Sequence, residues 1–272
     1  MPTDPTTTEI VAQMATRAPH IFAFDLSRYL IAAVLVSTIV LGLRRTAWAS
    51  RKIQKREANA SDFRRELFAS VRTVGIYTIV SLFIVWGTMT GLYPPMFDLD
   101  YGVWGNLALF AAILIAHDAY FYWSHRTMHH PRLFKTFHRF HHKTITPTAW
   151  AAYSFAIPEA VVMALFMPIW LFFVPTPGIV VFGFLAVMIV RNCMGHAGLE
   201  LHARGWASHP LLKWISTTTH HDLHHAGSFN HNFGFYFTFW DKFMGTEHPD
   251  YVATFDRVTA KPAEQAAQPA VA

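Results

Sequence analysis

Long apolar segments alternate with short polar stretches along the chain. A helix needs about 20 apolar residues to cross the roughly 30 Å hydrocarbon core of a bilayer. Segments that reach or approach this length occupy residues 26–43, 73–92, 101–117, 155–174 and 178–190. The pattern therefore predicts an all-α integral membrane protein that passes the bilayer several times, with about four to five membrane helices.

The last two apolar segments are joined by residues 175–178, of sequence PTPG, which leave room only for a tight turn. The second of them, residues 178–190, is short for a complete span. Residues 155–190 therefore form either two full spans or a shallow re-entrant hairpin. Both alternatives return the chain that follows to the same side of the membrane.

The overall composition supports this class of protein. Of the 272 residues, 53% are hydrophobic and only 14% are charged, whereas a soluble globular domain usually carries about 25% charged residues. The shortage of charge excludes a disordered chain and most extracellular scaffolds. The single cysteine, Cys193, excludes an internal disulfide.

The positive charges fall mainly into three blocks. Nine of the 22 Lys and Arg residues lie in residues 44–72, five in 126–143 and six in 191–261. Cytoplasmic loops of membrane proteins carry an excess of Lys and Arg, so all three blocks lie in the cytoplasm if the N-terminus lies outside. We therefore interpret the net charge of +5 as a signal of membrane orientation, and we expect no nucleic-acid partner.

Histidine is frequent, with 17 residues, and it is concentrated on the basic side of the predicted membrane helices. Three clusters stand out, namely His125, His129 and His130, then His138, His141 and His142, and then His221, His224 and His225. Spacings of three and four residues place side chains on one face of a helix, so each cluster can point inward from one turn.

Neutral imidazole is a good ligand for iron, zinc and copper. Eight of these imidazoles, all except that of His130, can converge, which exceeds what one ion can bind, so the pattern predicts two metal ions close together. The sequence has no Glu-x-x-His pair and no His-Glu-x-x-His motif, which disfavours soluble di-iron carboxylate bundles and zinc proteases. Isolated histidines, such as His20, His209 and His248, are expected to be surface residues or polar residues with satisfied hydrogen bonds.

The three clusters resemble the histidine boxes of the fatty acid hydroxylase/sterol desaturase superfamily. His125 and His129 match its H-x-x-x-H box, and the second and third clusters match its two H-x-x-H-H boxes. Three flanking segments are also similar to the family, namely residues 118–126, 143–159 and 232–246. The resemblance covers roughly residues 101–247.

The resemblance implies a dinuclear iron centre held almost wholly by histidines at the cytoplasmic face of the membrane. The implied ligands are His125, His129, His138, His141, His142, His196, His221, His224 and His225. His196 belongs to a further H-x-x-x-H pair of the family, whose first position is Asn192 here. Further candidate ligands are Asn192, through its amide oxygen or a water, His202, if its segment bends, and His130, which competes with His129.

Ring nitrogens that do not bind metal need acceptors that fix the orientation of each imidazole. Four carboxylates lie close enough in sequence to serve, namely Asp118, Glu200, Asp222 and Asp241. The alternative for each of them is an ordinary acid at a helix end or at the surface.

The resemblance implies an oxidoreductase that uses dioxygen to hydroxylate or desaturate a C–H bond of a membrane lipid, such as a sterol, a carotenoid or a fatty acyl chain. Zinc can replace iron in purified protein but is redox-silent. The sequence has no GxGxxG fingerprint and no iron–sulfur cysteine cluster, so we expect a separate electron donor of the ferredoxin or cytochrome type. The alternative function is a histidine-rich membrane protein that transports or binds metal.

The sequence thus predicts three parts. Residues 1–70 form an N-terminal span and a basic cytoplasmic loop, and residues 71–256 form a catalytic domain similar to the superfamily. This domain carries the histidine boxes in a helical cap on the cytoplasmic side. Residues 257–272, which are rich in Ala, Pro and Gln, are expected to be a disordered tail.

Overall fold

A computed structural model describes residues 6–227 and 229–266. In chain order its α-helices are α1 (Thr7–Leu43), α2 (Ala60–Met89), α3 (Gly102–Met128), α4 (Pro131–Phe137), α5 (Ile157–Phe173), α6 (Gly178–Gly195), α7 (Thr218–His225), α8 (Phe239–Phe243), α9 (Tyr251–Thr259) and α10 (Pro262–Ala266). Within the two described ranges, β-type pairing is limited to two isolated bridges. The structure confirms the predicted all-α fold.

Four helices, α1, α2, α3 and α6, are long and apolar enough to cross a membrane, with 37, 30, 27 and 18 residues. At about 1.5 Å per residue, even the shortest of them is about 27 Å long, close to the thickness of the hydrocarbon core. The apolar helix α5 has 17 residues. Large apolar side chains such as Ile31, Ile79 and Trp104 are exposed on the outer faces, as lipid contact requires. The helices therefore fit a membrane protein and confirm the expected number of spans.

Polar residues define where the first two helices begin. Thr6 Oγ1 accepts from the backbone N–H of Glu9 at 3.3 Å, and the Glu9 carboxylate accepts from the N–H of Thr6 at 2.7 Å. Asn59 and Asp62 form the same reciprocal pair at the start of α2. These capping boxes satisfy N–H groups that a helix start leaves unpaired, so both helices begin well before their apolar segments.

Helix α1 packs through one face against α2, α6 and the short 3-10 helix Ala149–Tyr153. The buried residues of this face recur at spacings of three and four and are Tyr29, Ala32, Ala33 and Val36. The Tyr29 hydroxyl also donates to the carbonyl of Trp150 at 2.8 Å. The first membrane helix is therefore fixed to the segment that follows the second histidine cluster.

Helix α6 is longer than the apolar pattern predicts. The apolar segment ends at residue 190, before the charged Arg191, but the helix continues to Gly195. Arg191 is tolerated there because its guanidinium donates to the carbonyl and the hydroxyl of Ser216. The extra turn places His196 directly at the C-terminal end of α6.

A cap of short helices and loops covers one end of the membrane helices. It consists of residues 129–156, which join α3 to α5, and the described residues that follow α6. Contacts of α7 with α6 and of α4 with α3 and α5 hold the cap against the helix ends. The cap and the ends of α3 and α6 together carry all the candidate ligands.

The expected disordered tail is wrong for the part of it that the structure describes. Residues 257–259 belong to α9, and residues 262–266 form α10. Tyr251, Phe255 and Val258 form one buried face of α9 at helical spacing, which composition alone did not reveal. Residues 267–272 lie outside the described residues.

Candidate metal centre

Nine histidines, of which eight are buried and His221 is half-buried, converge in two groups beneath the cap. The five-histidine group consists of His125, His129, His138, His142 and His224. The four-histidine group consists of His141, His196, His221 and His225. Within each group, the potential ligand nitrogens all lie within 4.8 Å of one another. These nine are the residues that the sequence predicted as ligands, and the structure brings all of them together.

Most of the nine histidines lie at or next to the ends of helices. His125 lies in the last turn of α3, and His129 is the residue at its C-terminal cap. Pro131 then begins α4, which turns the chain back so that His138 follows α4 directly. The third cluster lies on α7, whose start is capped by the hydroxyl of Thr217.

The nitrogens are spaced as ligands of a shared ion would be. In the five-histidine group, Nε2 of His125 lies 2.9 Å from Nε2 of His138. In the four-histidine group, Nε2 of His221 lies 3.0 Å from that of His196 and 3.2 Å from that of His225. Metal–imidazole bonds are about 2.0–2.1 Å long, so two nitrogens bound at right angles to one ion would lie about 3.0 Å apart.

Backbone carbonyls fix the tautomer of five rings. The Nδ1 atoms of these rings lie 2.7–3.3 Å from a carbonyl oxygen, in the pairs His125 with Phe233, His141 with Ser154, His196 with Asn192, His224 with His231, and His225 with Thr144. A carbonyl only accepts, so each Nδ1 carries the hydrogen and each Nε2 presents a lone pair. Converging lone pairs repel one another unless a cation lies between them.

Burial keeps these imidazoles neutral. It lowers the pKa of His129 to about 2 and holds the pKa values of His138, His142 and His224 well below the usual range. Neighbouring imidazoles add to the effect because each would repel a second positive charge. The buried Nε2 of His224 also has no hydrogen-bond partner. The donor set therefore fits transition-metal ions that prefer neutral nitrogen ligands.

One acid outside the four predicted carboxylates contacts a candidate ligand directly. Oε1 of Glu159 lies 2.7 Å from Nδ1 of His138, and both side chains are almost completely buried. Glu159 lies in the first turn of α5 and is the single charged residue in the segment 155–190. That isolated charge in an apolar segment was the available signal.

Two of the four predicted carboxylates hold the loop that follows α7. Oδ1 of Asp118 accepts from the backbone N–H groups of Tyr236 and Phe237 at 2.7 and 3.2 Å. The carboxylate of Asp241 accepts from the N–H groups of Phe233 and Gly234 at 2.8 and 2.7 Å. These acids therefore position the carbonyl that orients His125 instead of contacting an imidazole of either group.

The other two carboxylates hold α7 itself. Glu200 accepts from the backbone N–H of Thr219 at 2.7 Å, and Asp222 accepts from the side-chain amide of Gln54 at 2.7 Å. Across the residues that the structure describes, none of the four predicted acids makes a hydrogen bond to one of the nine rings. Backbone carbonyls take this role for five of the rings, and Glu159 lies 2.7 Å from Nδ1 of a sixth ring, that of His138.

The three further candidate ligands lie apart from the two groups. His130 is exposed at the start of α4, where Nδ1 accepts from the N–H of Arg132 at 3.3 Å. Nδ1 of His202 pairs with Glu200 at 2.7 Å. The side-chain amide of Asn192 donates to the carbonyl of Ala152 at 2.6 Å, while its own backbone carbonyl orients His196.

Gly234 allows a close approach that no other residue could make. A Cβ atom at this position would lie 2.4 Å from the carbonyl oxygen of Phe237 and 2.8 Å from Oδ2 of Asp241. Nearby Asn232 adopts a positive φ of 58° and donates through its amide to the carbonyl of His220 at 2.8 Å. This loop is therefore tightly specified, which keeps the Phe233 carbonyl under His125.

An apolar cavity lies among α1, α2, α3, α5 and α6, and we call it the membrane cavity. Its walls include Phe121, Phe155, Met163, Phe166, Phe184 and Met188. The ring of Phe121 lies 5.1 Å from that of His125, and the ring of Phe155 lies 5.3 Å from that of His141. The cavity therefore ends next to both histidine groups and can present hydrocarbon to them.

The fold and the site define a membrane protein with a buried, histidine-rich candidate metal centre. Residues 110–246, half of the chain, match the fatty acid hydroxylase family. The chain therefore belongs to this family, as the sequence motifs predicted.

Several curated proteins are similar to the chain. A Delta(7)-sterol 5(6)-desaturase, ERG3B, of Gibberella zeae is 29% identical over 68% of the chain and 56% of its own length. Lathosterol oxidase of Homo sapiens is 26% identical over 67% of the chain and 60% of its own length. Cholesterol 25-hydroxylase of Rattus norvegicus is 32% identical over 44% of the chain and 40% of its own length.

The chain thus spans between two fifths and three fifths of the length of these relatives. No solved structure matches it.

Proposed function

We propose that this chain is a dioxygen-dependent oxidoreductase that hydroxylates or desaturates a C–H bond of a membrane lipid at a centre of two iron ions. The observation that carries the proposal is the convergence of nine neutral imidazoles, eight of them on buried residues, in two adjoining groups. The names of the relatives, which are sterol desaturases and a cholesterol hydroxylase, support a lipid substrate of the sterol class.

The five-histidine group would hold one ion and the four-histidine group the other. The rings of His138 and His141 lie 5.2 Å apart, and those of His142 and His225 lie 4.9 Å apart, so the groups share a boundary. Iron, when bound there, supplies the redox chemistry with dioxygen that attack on an unactivated C–H bond requires. Zinc would fit the same nitrogens but is redox-silent.

The protein's own residues orient the ligands and exclude water. Carbonyls such as those of Phe233 and Thr144 hold Nδ1–H groups and thereby direct Nε2 towards the centre. Eight of the nine histidines are buried and His221 is half-buried, which removes competing water from most of the ligand positions. Phe121 and Phe155 border the membrane cavity at this point, so the lipid would arrive through hydrocarbon surroundings.

Electrons would come from a separate ferredoxin- or cytochrome-type partner. The three blocks of Lys and Arg support a cytoplasmic location for the cap, where such a partner could reach it. Residues 71–256 supply all nine histidines and form the proposed catalytic unit.

Metal transport is the alternative that the sequence left open. A transporter needs polar residues near the middle of its membrane helices. The two histidine groups lie instead at the ends of α3 and α6 and in the cap, which favours the enzyme.

The test compares His224→Ala with the exposed control His20→Ala. Each variant is expressed in a yeast host, whose membranes contain sterols, its iron content is measured, and host lipids are analysed by mass spectrometry. We expect the unchanged chain and His20→Ala to bind two iron ions and to yield a lipid that has gained one oxygen atom or lost two hydrogen atoms. His224→Ala should lose iron and product. Full iron content in His224→Ala, or uptake of labelled zinc by proteoliposomes without any lipid product, would contradict the proposal.

A further inference from the structure

The largely apolar membrane cavity contains an ion pair. Asp25 and Arg28 of α1 both line it, and Oδ1 of Asp25 lies 2.7 Å from Nη2 of Arg28. Only 7% of the Asp25 side chain and 10% of the Arg28 side chain are exposed. Ionisable residues among membrane helices are costly and mark a functional site by default. The proposed metal chemistry makes no use of this pair.

One nitrogen of the Arg28 guanidinium has no hydrogen-bond partner. Nη2 contacts Asp25, and Nη1 donates to the carbonyl of Leu185 on α6 at 2.7 Å. Nε is buried and has no hydrogen-bond partner. Since an unpaired buried donor is unfavourable, a ligand that brings an acceptor into the cavity would be stabilised here.

A second unpaired nitrogen borders the same cavity. Nδ1 of His117 on α3 is buried without a hydrogen-bond partner. The rings of Phe166 and Phe184 lie 4.8 and 5.1 Å from the His117 ring and enclose it. The cavity therefore offers two unpaired nitrogens within walls that are largely apolar.

The charge balance favours a neutral ligand. The positive charge of Arg28 is already compensated by Asp25 at 2.7 Å. An anionic headgroup would add an unbalanced negative charge in a low-dielectric region, which is expensive. A hydroxyl or carbonyl oxygen can accept from Arg28 without that cost.

The distance from this oxygen to the histidines follows from the helical rise along α6 and α3. On α6, Leu185 precedes His196 by eleven residues, which corresponds to about 16 Å along the axis. On α3, His117 precedes His125 by eight residues, or about 12 Å. The polar end of the ligand would therefore lie on the order of 10 Å or more from the carbon that reacts.

We propose that the membrane cavity binds an elongated neutral lipid alcohol or ketone, with its oxygen at Arg28 and the far end of its hydrocarbon skeleton at the nine histidines. This inference rests on the proposed function and defines the class of its substrate. Rigid sterols have the required length and carry one oxygen at one end, so they are the probes that test it.

Binding of radiolabelled cholesterol to the purified, metal-loaded protein in detergent provides the test. The competitors are unlabelled cholesterol, cholestane, which lacks the hydroxyl, and cholesterol sulfate, which carries an anion at the same position. We expect cholesterol to compete about tenfold better than either of the others. Equal competition by cholestane, or no binding of cholesterol, overturns the proposal.

Two variants separate recognition from a structural role. Asp25→Asn leaves the charge of Arg28 uncompensated, so cholesterol sulfate should become the best competitor. Arg28→Met removes the donor, so cholesterol and cholestane should compete equally. The exposed residues Asp98 and Arg17 provide the matched controls Asp98→Asn and Arg17→Met, which should behave like the unchanged protein.

If the three competitors keep the same order of affinity in Asp25→Asn, the inference is contradicted. That result is expected if the Asp25–Arg28 pair only holds α1 against α6 and does not contact the ligand. Iron content and lipid product are measured in the same preparations. If both persist while the ranking is unchanged, the proposed function stands and the inference fails. If iron and product are missing from the unchanged protein, the proposed function itself fails.

Discussion

The carboxylate of Glu159 lies 2.7 Å from Nδ1 of His138, and both groups are buried where α5 meets the cap. His138 in turn places Nε2 2.9 Å from that of His125. A carboxylate next to the outer nitrogen of a ligand fixes the ring and makes it a better electron donor. The start of a membrane helix is therefore coupled to the five-histidine group.

Replacing Glu159 should weaken one metal position selectively. We expect Glu159→Ala to lower metal affinity at the five-histidine group by about 10–100-fold, because loss of such a partner has this effect in other metal sites. Glu159→Gln, which keeps an acceptor oxygen, should retain more of the affinity. Iron content after dialysis against graded chelator measures the change. Exposed Glu57→Ala is the control, and unaltered retention of both ions in Glu159→Ala would refute the role.

Gly234→Ala should distort the loop that orients His125. The new Cβ would lie 2.4 Å from the Phe237 carbonyl oxygen, and both this backbone and Asp241 are fixed by hydrogen bonds. We expect a loss of about 1–3 kcal/mol of stability, measured as a lower Tm in detergent, together with weaker metal binding. Gly75→Ala meets no atom within 4 Å and lies inside α2, so it should leave the Tm unchanged or raise it. Equal Tm values for the two variants would count against this account.

Metal removal should destabilise the whole cap. Ligands that bind only the folded state stabilise it by about 2.7 kcal/mol at a hundredfold excess over Kd. We therefore expect a chelator to lower the Tm of the iron-loaded protein, as measured by differential scanning fluorimetry. His224→Ala should show a smaller decrease than His20→Ala. A chelator-insensitive Tm would mean that the nine imidazoles bind no metal in the purified protein.

The metal-free protein should lose stability in mild acid. Burial holds the pKa of His129 at about 2 and that of His142 well below 6.5, whereas the unfolded chain takes up protons near 6.5. Protons therefore favour unfolding once the pH falls below about 6.5, by about 1.4 kcal/mol per pH unit for each such histidine. The Tm should decrease from about pH 7 to about pH 5, and less steeply in His129→Gln. A flat profile would show that the rings are hydrated in solution.

Local periodicity indicated eight of the nine histidines, and only the family resemblance added His196. His125 and His129, His138 and His142, and His221 and His225 are pairs four residues apart, and each pair stays together in one group. Four residues are close to one helical turn, so both side chains of a pair point the same way. The long apolar segments likewise determined the membrane helices, because backbone hydrogen bonding in lipid allows few alternatives.

Only the tertiary structure decided how the clusters divide. His138 and His142 belong to the five-histidine group, but His141 belongs to the four-histidine group. Its Nε2 lies 3.3 Å from that of His196 at the end of α6. His224 belongs to the five-histidine group together with His125, although its neighbours His221 and His225 belong to the four-histidine group. These assignments depend on where α3, α6 and α7 meet, and no spacing within one cluster contains that information.

The meeting of distant segments also explains which groups accept hydrogen bonds from the imidazole rings. Sequence proximity pointed to Asp118, Glu200, Asp222 and Asp241, but these acids hold backbone N–H groups or Gln54. Backbone carbonyls exist at every residue and carry no sequence signal, so their selection as acceptors is decided by packing alone. The sequence therefore determined which atoms could bind metal, and the meeting of distant segments determined how their lone pairs converge.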